Sequence, residues 1–282
     1  MPKQTKTGSS YSGRTPRKIS PKKKSRLTKI KLNPKSDGFS IIVRKEMLTG
    51  DYELQYSTIE EVLKNSKKDV IKILIDLVNN KNINDKGRAL LLAGIGIANF
   101  YDIKNDYLNT LLIKIMKDES EPIQVRESAA LALGKIGVNS KEEKFRKELE
   151  KIIDKTDNAD MKASSIKSHI RVMGKKSESY LHEIYNQKDE PEVRKEIIIG
   201  FGIVRSRRAL SLITNELRTS KNRAVEIACL EALGNIGTKI SVNSINWYLD
   251  KHYDNEELLT LASIAWFAAE QNTSDIDTML FV

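Results

Sequence analysis

The segment from Glu121 to Gly137, EPIQVRESAALALGKIG, recurs along the chain, and a recurring unit constrains a fold more tightly than any single residue does. Its apolar residues Val125, Ala129, Leu133 and Ile136 are spaced by four, four and three, which places them on one face of an α-helix. Glu121 and Pro122 open the first turn, where the N–H that proline lacks has no helical partner to lose. The same four slots hold Val193, Ile197, Phe201 and Val204; Val225, Cys229, Leu233 and Ile236; and Gly87, Leu91, Ile95 and Ala98. A glycine follows the third slot each time: Gly96, Gly134, Gly202 and Gly234. Glycine inside a helix costs about 1 kcal/mol relative to alanine. Its repetition in register therefore predicts a repeated close approach of neighbouring helices.

Copies starting at 87, 125, 193 and 225 leave room for a degenerate one near Met161, which gives spacings of 38, 36, 32 and 32. A further step of 32 falls on Glu257, in NEELLTLASIAWFAAEQ. These repeats resemble HEAT repeats, and Val125 to Gly137, VRESAALALGKIG, is similar to the short HEAT-like repeats of the phycobilisome-lyase type. The resemblance implies an all-α fold, an α-α superhelix, and implies no activity. It puts first helices on the convex side and second helices on the concave side, where a protein partner is expected to sit.

Helices are expected in pairs: 58–66 with 68–80, 84–100 with 104–117, 122–137 with 141–154, and 158–174 with 177–187. They continue as 191–204 with 206–218, 222–237 with 240–250, and 255–270 with a short helix after Ser274. Ser57 and Glu60 have capping-box spacing at the first of these. The expected organisation is a disordered basic arm over 1–38, an extended or irregular lead-in over 39–56, and a HEAT-like solenoid over 57–282. That solenoid would hold about six to seven helix pairs.

Charge is unevenly placed. Residues 1 to 36 contain 12 Lys or Arg and no Asp or Glu, so the formal net charge of +10 belongs to this segment and the remainder carries −2. The arm is rich in Ser, Thr, Pro and Gly, too polar to offset the entropy of ordering itself. Its Arg14, Arg17, Lys18, Lys22, Lys23, Lys24 and Arg26 are candidates for neutralising the phosphates of a nucleic acid. Thr15-Pro16-Arg17-Lys18 and Ser20-Pro21-Lys22-Lys23 resemble the Ser/Thr-Pro-basic-basic motif of histone tails, and Pro21 to Arg26 resembles a nuclear localisation signal. A second candidate patch is Arg205, Arg207, Arg208, Arg218, Lys221 and Arg223, read as gathering along one side of two adjacent repeats. A third is the degenerate copy, where Lys162, Lys167, His169, Arg171, Lys175 and Lys176 accompany Ile166, Ile170 and Met173. Trp247, Tyr248, Trp266 and Phe267 are candidates for packing or for base contact.

Enzymatic signatures are sparse. The pairs Gly94-Ile95-Gly96 and Gly200-Phe201-Gly202 lack the third glycine of a dinucleotide loop, and no phosphate-binding GxxxxGK[ST] loop occurs. His182-Glu183 resembles one of the iron-binding His-Glu pairs of HEAT-like deoxyhypusine hydroxylases, but it stands alone, so that site has no match here. The lone Cys229 fills an apolar slot and is read as a core residue. No catalytic residue, metal site or cofactor is expected, and no apolar run is long enough to span a membrane. The reading is a non-catalytic binding module, its arm attached to RNA, DNA or a ribonucleoprotein or chromosomal assembly. A protein-interaction scaffold is the alternative, and a HEAT-like DNA glycosylase, for which no catalytic residue matches, a third. The expected compartment is the cytoplasm, or the nucleus in a eukaryote, and the oligomeric state is left open.

Overall fold

A computed structural model of the chain describes residues 24–26, 37–64, 67–98, 106–140, 143–186 and 189–279. Regular structure among them is entirely helical. Helix α1 (Asp37–Met47) packs on α2 (Tyr52–Lys64), which is followed by α3 (Lys67–Val78). Then come the pairs α4 (Asp85–Ala98) with α5 (Asp106–Lys117), α6 (Ile123–Ser140) with α7 (Glu143–Lys155), and α8 (Ala159–Met173) with α9 (Glu178–Ile184). The array continues with α10 (Pro191–Ile203) and α11 (Leu210–Thr219), α12 (Arg223–Ile236) and α13 (Lys239–Lys251), and α14 (Glu256–Met279). The even-numbered helices from α4 on, with α2, form one row in which each packs on the next; the odd-numbered helices from α3 to α13 lie behind them. The all-α solenoid is therefore the observed architecture. No helix among the described residues is long and apolar enough to cross a membrane.

The row is held at its glycines. Each meets a residue of the next helix that stands two places before that helix's own glycine position: Gly96 meets Ala132, Gly134 meets Ser168, Gly202 meets Ala232 and Gly234 meets Ala265. A methyl group built on Gly134 would lie 2.6 Å from Ser168 Cβ, and one on Gly202 would lie 2.7 Å from Ala232 Cα. Helix backbones touch with no side chain between them. Helices α2 and α8 carry isoleucine at the glycine position, Ile59 and Ile170. In both cases the following helix supplies the missing space two residues earlier, with Gly94 against Ile59 and Gly200 against Ile170. Both Gly-x-Gly pairs are thus explained: the first glycine receives an isoleucine from the helix before, and the second admits the helix after.

The same contact corrects the register of the last copy. It starts at Leu258 rather than Glu257, since Leu258, Ala262 and Ala269 are buried and Ala265 is the residue against Gly234. In the degenerate copy the four slots are all filled and buried, by Met161, Ser165, His169 and Val172. Cys229 is fully buried, and loss of solvent pushes its thiol pKa far up, which makes it unreactive. Tyr248 is buried with its hydroxyl donating to Glu226 at 2.8 Å, Trp247 and Trp266 are half-buried, and Phe267 is exposed.

Between and within the helix pairs runs a set of ion pairs and hydrogen bonds that the apolar pattern does not reveal. The residue after the first slot is basic in four copies, Arg88, Arg126, Lys162 and Arg194. Arg88 reaches Glu121 through two hydrogen bonds of 2.5 and 2.9 Å and caps the Val78 carbonyl at 2.9 Å. Lys162 lies 3.7 Å from Asp189, Arg194 pairs with Glu216, and Arg126 donates to the Met116 carbonyl at 3.2 Å. Arg88 and Glu121 are both buried, and the guanidinium hydrogen bonds hold the Glu121 carboxyl down at about 2.

The expected extended lead-in over 39–56 is instead α1 and the start of α2. Phe39, Val43 and Met47 recur every fourth residue and are all buried, a helical stripe too short to stand out in sequence. Helix α2 begins at Tyr52, with Asp51 accepting from Leu54 N–H at 3.2 Å, so Ser57 and Glu60 lie inside the helix and form no cap. Helix α14 runs unbroken past Ser274, replacing the separate short helix expected there. Of the segment expected to be disordered, Lys24–Arg26 are placed, with Ser25 buried; residues 1–23 and 27–36 lie outside the described residues.

Two outcomes follow from these contacts. Gly202→Ala should lower stability by about 1–3 kcal/mol in urea unfolding despite alanine's higher helix propensity, because its methyl meets backbone rather than a movable side chain. Glu121→Gln should cost about 3 kcal/mol near pH 7 by leaving Arg88 buried and unpaired. A folded-state pKa of about 2 against an ordinary 4.5 means that Glu121 contributes fully above pH 4.5 and loses its contribution as pH falls towards 2. The difference between variant and wild type should therefore shrink over that window.

Candidate nucleic-acid interface

In an array of antiparallel hairpins, successive turns fall on opposite edges. Helices α8, α10 and α12 end, and α9, α11 and α13 begin, on one edge, which contains the turns 174–177, 204–209 and 237–238. The first two are tied together: the Ser206 hydroxyl donates to Glu178 at 2.6 Å, and Lys175 Nζ donates to the Val204 carbonyl at 2.7 Å. Lys175, Lys176, Arg205, Arg207, Arg208 and Lys239 are exposed along this edge. Arg171 and Lys135 extend it onto the front row, where burial, then the charge of Arg171, pushes the Lys135 pKa below its ordinary value. The Glu178 carboxyl is held below its ordinary range by the Ser206 hydrogen bond, with Lys175 and Arg208 adding to it.

The opposite edge is largely acidic, broken by Arg218, Lys221 and Arg223 at the turn between α11 and α12. It carries Asp118, Glu119 and Glu121, then Asp157 and Asp160, then Asp189, Glu190 and Glu192, then Asp254, Glu256 and Glu257. The helices α6, α8, α10 and α14 begin beside acidic residues, which matches the direction of their dipoles, whereas α12 begins beside Lys221 and Arg223. A chain whose repeats sum to nearly zero charge is therefore strongly polarised across its width.

One residue on the basic edge is held at a cost. Helix α10 ends with Ser206 N–H donating to the Phe201 carbonyl at 2.9 Å and Arg205 N–H to the Gly202 carbonyl at 3.1 Å, a Schellman turn with Arg205 at its left-handed position. Arg205 has φ 49°, whereas α12 ends on a glycine, Gly237, at φ 57° in the left-handed region. A side chain there costs about 1–2 kcal/mol. The one hydrogen bond of its side chain among the described residues, to Asn272 Oδ1 at 3.3 Å, is exposed and too weak to offset that. The strain keeps a guanidinium on this edge where the neighbouring repeats have nothing.

The structure divides the patch expected from Arg205 to Arg223. Arg205, Arg207 and Arg208 lie at the start of α11, and Arg218, Lys221 and Arg223 at its far end, a helix of 10 residues away, which is about 15 Å. The first three join Lys175 and Lys176. The others join a different group, in which Arg218 and Lys251 lie 5.2 and 4.9 Å from the centre of the Trp247 ring and Arg223 pairs with Glu257 at 2.7 Å. Arg14, Arg17, Lys18, Lys22 and Lys23 lie outside the described residues, while Lys24 and Arg26 are exposed. In the degenerate copy Lys162 and Lys167 face Asp189 and Glu196, and His169 is buried, with Nε2 3.1 Å from Glu150 and its pKa lowered by burial. Arg171, Lys175 and Lys176 belong to the basic edge. The union of parts of the second and third candidates is what sequence reading missed. Its signal was available in the alternating sign of consecutive turns, GKKS and VRSRRA against DESEP and DEPE.

His182 stacks on Phe201 with ring centres 4.6 Å apart, its Nε2 3.4 Å from Ser206, and burial, then Arg208, lowers its pKa. Glu183 is exposed, and among the described residues no group of three or more His, Cys, Asp or Glu stands ready to hold a metal ion. The cost of the left-handed arginine is directly measurable. Arg205→Gly should raise the unfolding free energy by about 1 kcal/mol in urea denaturation.

No protein-family model matches the chain, and no curated protein matches it. A solved structure of human deoxyhypusine hydroxylase in complex with glycerol is similar over 84% of this chain and 86% of its own, at 16% identity and a TM-score of 0.39. A likeness that slight carries neither activity nor site.

Proposed function

We propose that the protein is a non-catalytic nucleic-acid-binding module, a HEAT-like solenoid that lays its basic edge along a phosphate backbone while the basic residues of its first segment add a second attachment. The observation that carries this reading is the pair of neighbouring turns on one edge that set Lys175, Lys176, Arg205, Arg207 and Arg208 side by side, one of them in a strained conformation. Arg207 and Arg208 have no ion-pair partner among the described residues, so their donors are available to phosphate oxygens. Contacts of this kind orient a polyanion without reading its bases. The edge is straightforward to separate from the arm. Affinity for a mixed RNA and DNA panel should fall as salt rises, and the double substitution Arg207→Gln with Arg208→Gln should reduce the logarithmic salt slope by roughly 1.4–1.8. Arg205→Gly should weaken binding although it stabilises the fold. A chain starting at Lys24 should keep the contribution of the edge and lose that of the arm. Unchanged affinity in the edge variants would remove the edge from the interface.

A scaffold role has one observation in its favour. A cavity of about 470 Å³ opens on the front row, lined by Tyr52, Lys86, Ala89, Leu90, Ala93, Gln124 and Ser128, with Tyr52 and Tyr56 exposed beside it. Ala93→Arg would fill it. Loss of a protein partner with nucleic-acid affinity intact would assign the two surfaces to separate tasks.

A further inference from the structure

At the start of the array three donors converge on one buried carboxylate. Glu46, in the last turn of α1, is 5% exposed. Its Oε2 accepts from the Ser25 hydroxyl at 2.5 Å and from the Thr58 hydroxyl at 2.8 Å, and its Oε1 accepts from the Arg26 N–H at 2.8 Å. The Ser25 N–H donates to the Ser57 hydroxyl at 2.9 Å. Ser25 is wholly buried between two exposed residues, Lys24 and Arg26. Beside it lies a cavity of about 420 Å³ lined by Lys24, Arg26, Ile42, Lys45, Glu46, Thr49 and Leu54. Polar contacts centred on one carboxylate thus tie the three-residue segment to α1 and α2.

We propose that Ser25 is a phosphoacceptor and that its contact with Glu46 is a latch which phosphorylation opens. Lys22, Lys23 and Lys24 precede the serine and Arg26 follows it, a basic setting suited to a protein kinase with an acidic substrate groove. In the transfer, Ser25 Oγ attacks the γ-phosphorus of a nucleoside triphosphate and forms an O–P bond. The bond from that phosphorus to the bridging oxygen breaks, the nucleoside diphosphate leaves, and the hydroxyl proton passes to the kinase's base. The product replaces a donor with a group of roughly −1.5 to −2 charge, and beside a carboxylate such a group is repelled. Two carboxylate-facing functions change together: the Ser25 hydrogen bond is lost, and an anion stands where the hydroxyl had been. Lys24, Arg26 and Lys45 line the adjoining cavity, but Ser25 Oγ is wholly buried 2.5 Å from Glu46 Oε2, which leaves no room for a phosphate in the closed state. Because Ser25 Oγ faces Glu46 when latched, transfer takes place on the transiently open segment, and the phosphate then prevents reclosure. Modification converts a brief opening into a lasting one. The latch rests on the hydrogen-bond geometry alone and holds whether or not the basic edge binds nucleic acid.

The test uses the full chain with a basophilic kinase and ATP, mass spectrometry to locate the phosphate, and NMR-detected hydrogen exchange of the Ser25 and Arg26 amides. Phosphate is expected on Ser25, with both amides exchanging about ten-fold faster or more while α6–α12 keep their protection. Ser25→Glu should reproduce the faster exchange, and Ser25→Ala, which adds no charge, should show a smaller change. Adding Glu46→Gln to Ser25→Glu should restore part of the protection by removing the repulsion. A kinase that modifies neighbouring serines but leaves Ser25 untouched would overturn the acceptor assignment. Wild-type protection in the phosphorylated or Ser25→Glu chain would overturn the latch.

Discussion

Contact between helix backbones along the front row is the interaction on which the other features depend. Where Gly134 lies on Ser168 and Gly202 on Ala232, successive front-row helices approach as closely as their main chains allow. Nearest-neighbour contacts of this kind replace the single central core of a globular domain. They also bring together the neighbouring turns of one edge. Lys175 can reach the Val204 carbonyl, and Ser206 can reach Glu178, because α8 and α10 are in contact at Ile170 and Gly200. The basic edge is a consequence of packing that happens elsewhere.

Helix direction and charge reinforce one another in this arrangement. Acidic residues precede or open α6, α8, α10 and α14 and favour the positive ends of those helix dipoles, whereas α12 begins beside Lys221 and Arg223. That pattern accounts for much of the edge without any ligand. Arg205 is the exception, since a left-handed helix end is best served by glycine, as at Gly237 in the next repeat. A residue that costs stability and recovers only one exposed hydrogen bond is better explained by what it presents than by what it holds.

Much of the solenoid was legible in the sequence because its determinants are periodic. The four apolar slots and the following glycine identify α4, α6, α10 and α12, whereas in α8 the expected shift of the stripe to Ile166, Ile170 and Met173 hid the burial of Ser165 and His169 in the original slots. The failures share a cause. Helix α1 rests on Phe39, Val43 and Met47, a stripe without a second copy for comparison. The placing of Ser25 depends on Glu46 and Thr58, distant in sequence and unrelated to any period. The patch from Arg205 to Arg223 was grouped by proximity along the chain, whereas a hairpin sends consecutive turns to opposite edges. Net charge summed over the repeats cancelled the two edges and concealed both.

The exchanged isoleucine and glycine have an implication for how such an array changes over time. Ile59 needs Gly94 and Ile170 needs Gly200, while Gly96, Gly134, Gly202 and Gly234 accept alanine or serine. The repeats are consequently not interchangeable tiles. A duplicated α8 placed before α12 would drive isoleucine into Ala232, and a deletion joining α2 to α6 would drive Ile59 into Ala132. Each junction accepts only certain successors, so the order of the units is itself inherited as a steric code, and this solenoid can lengthen or shorten only at junctions where the small residues agree.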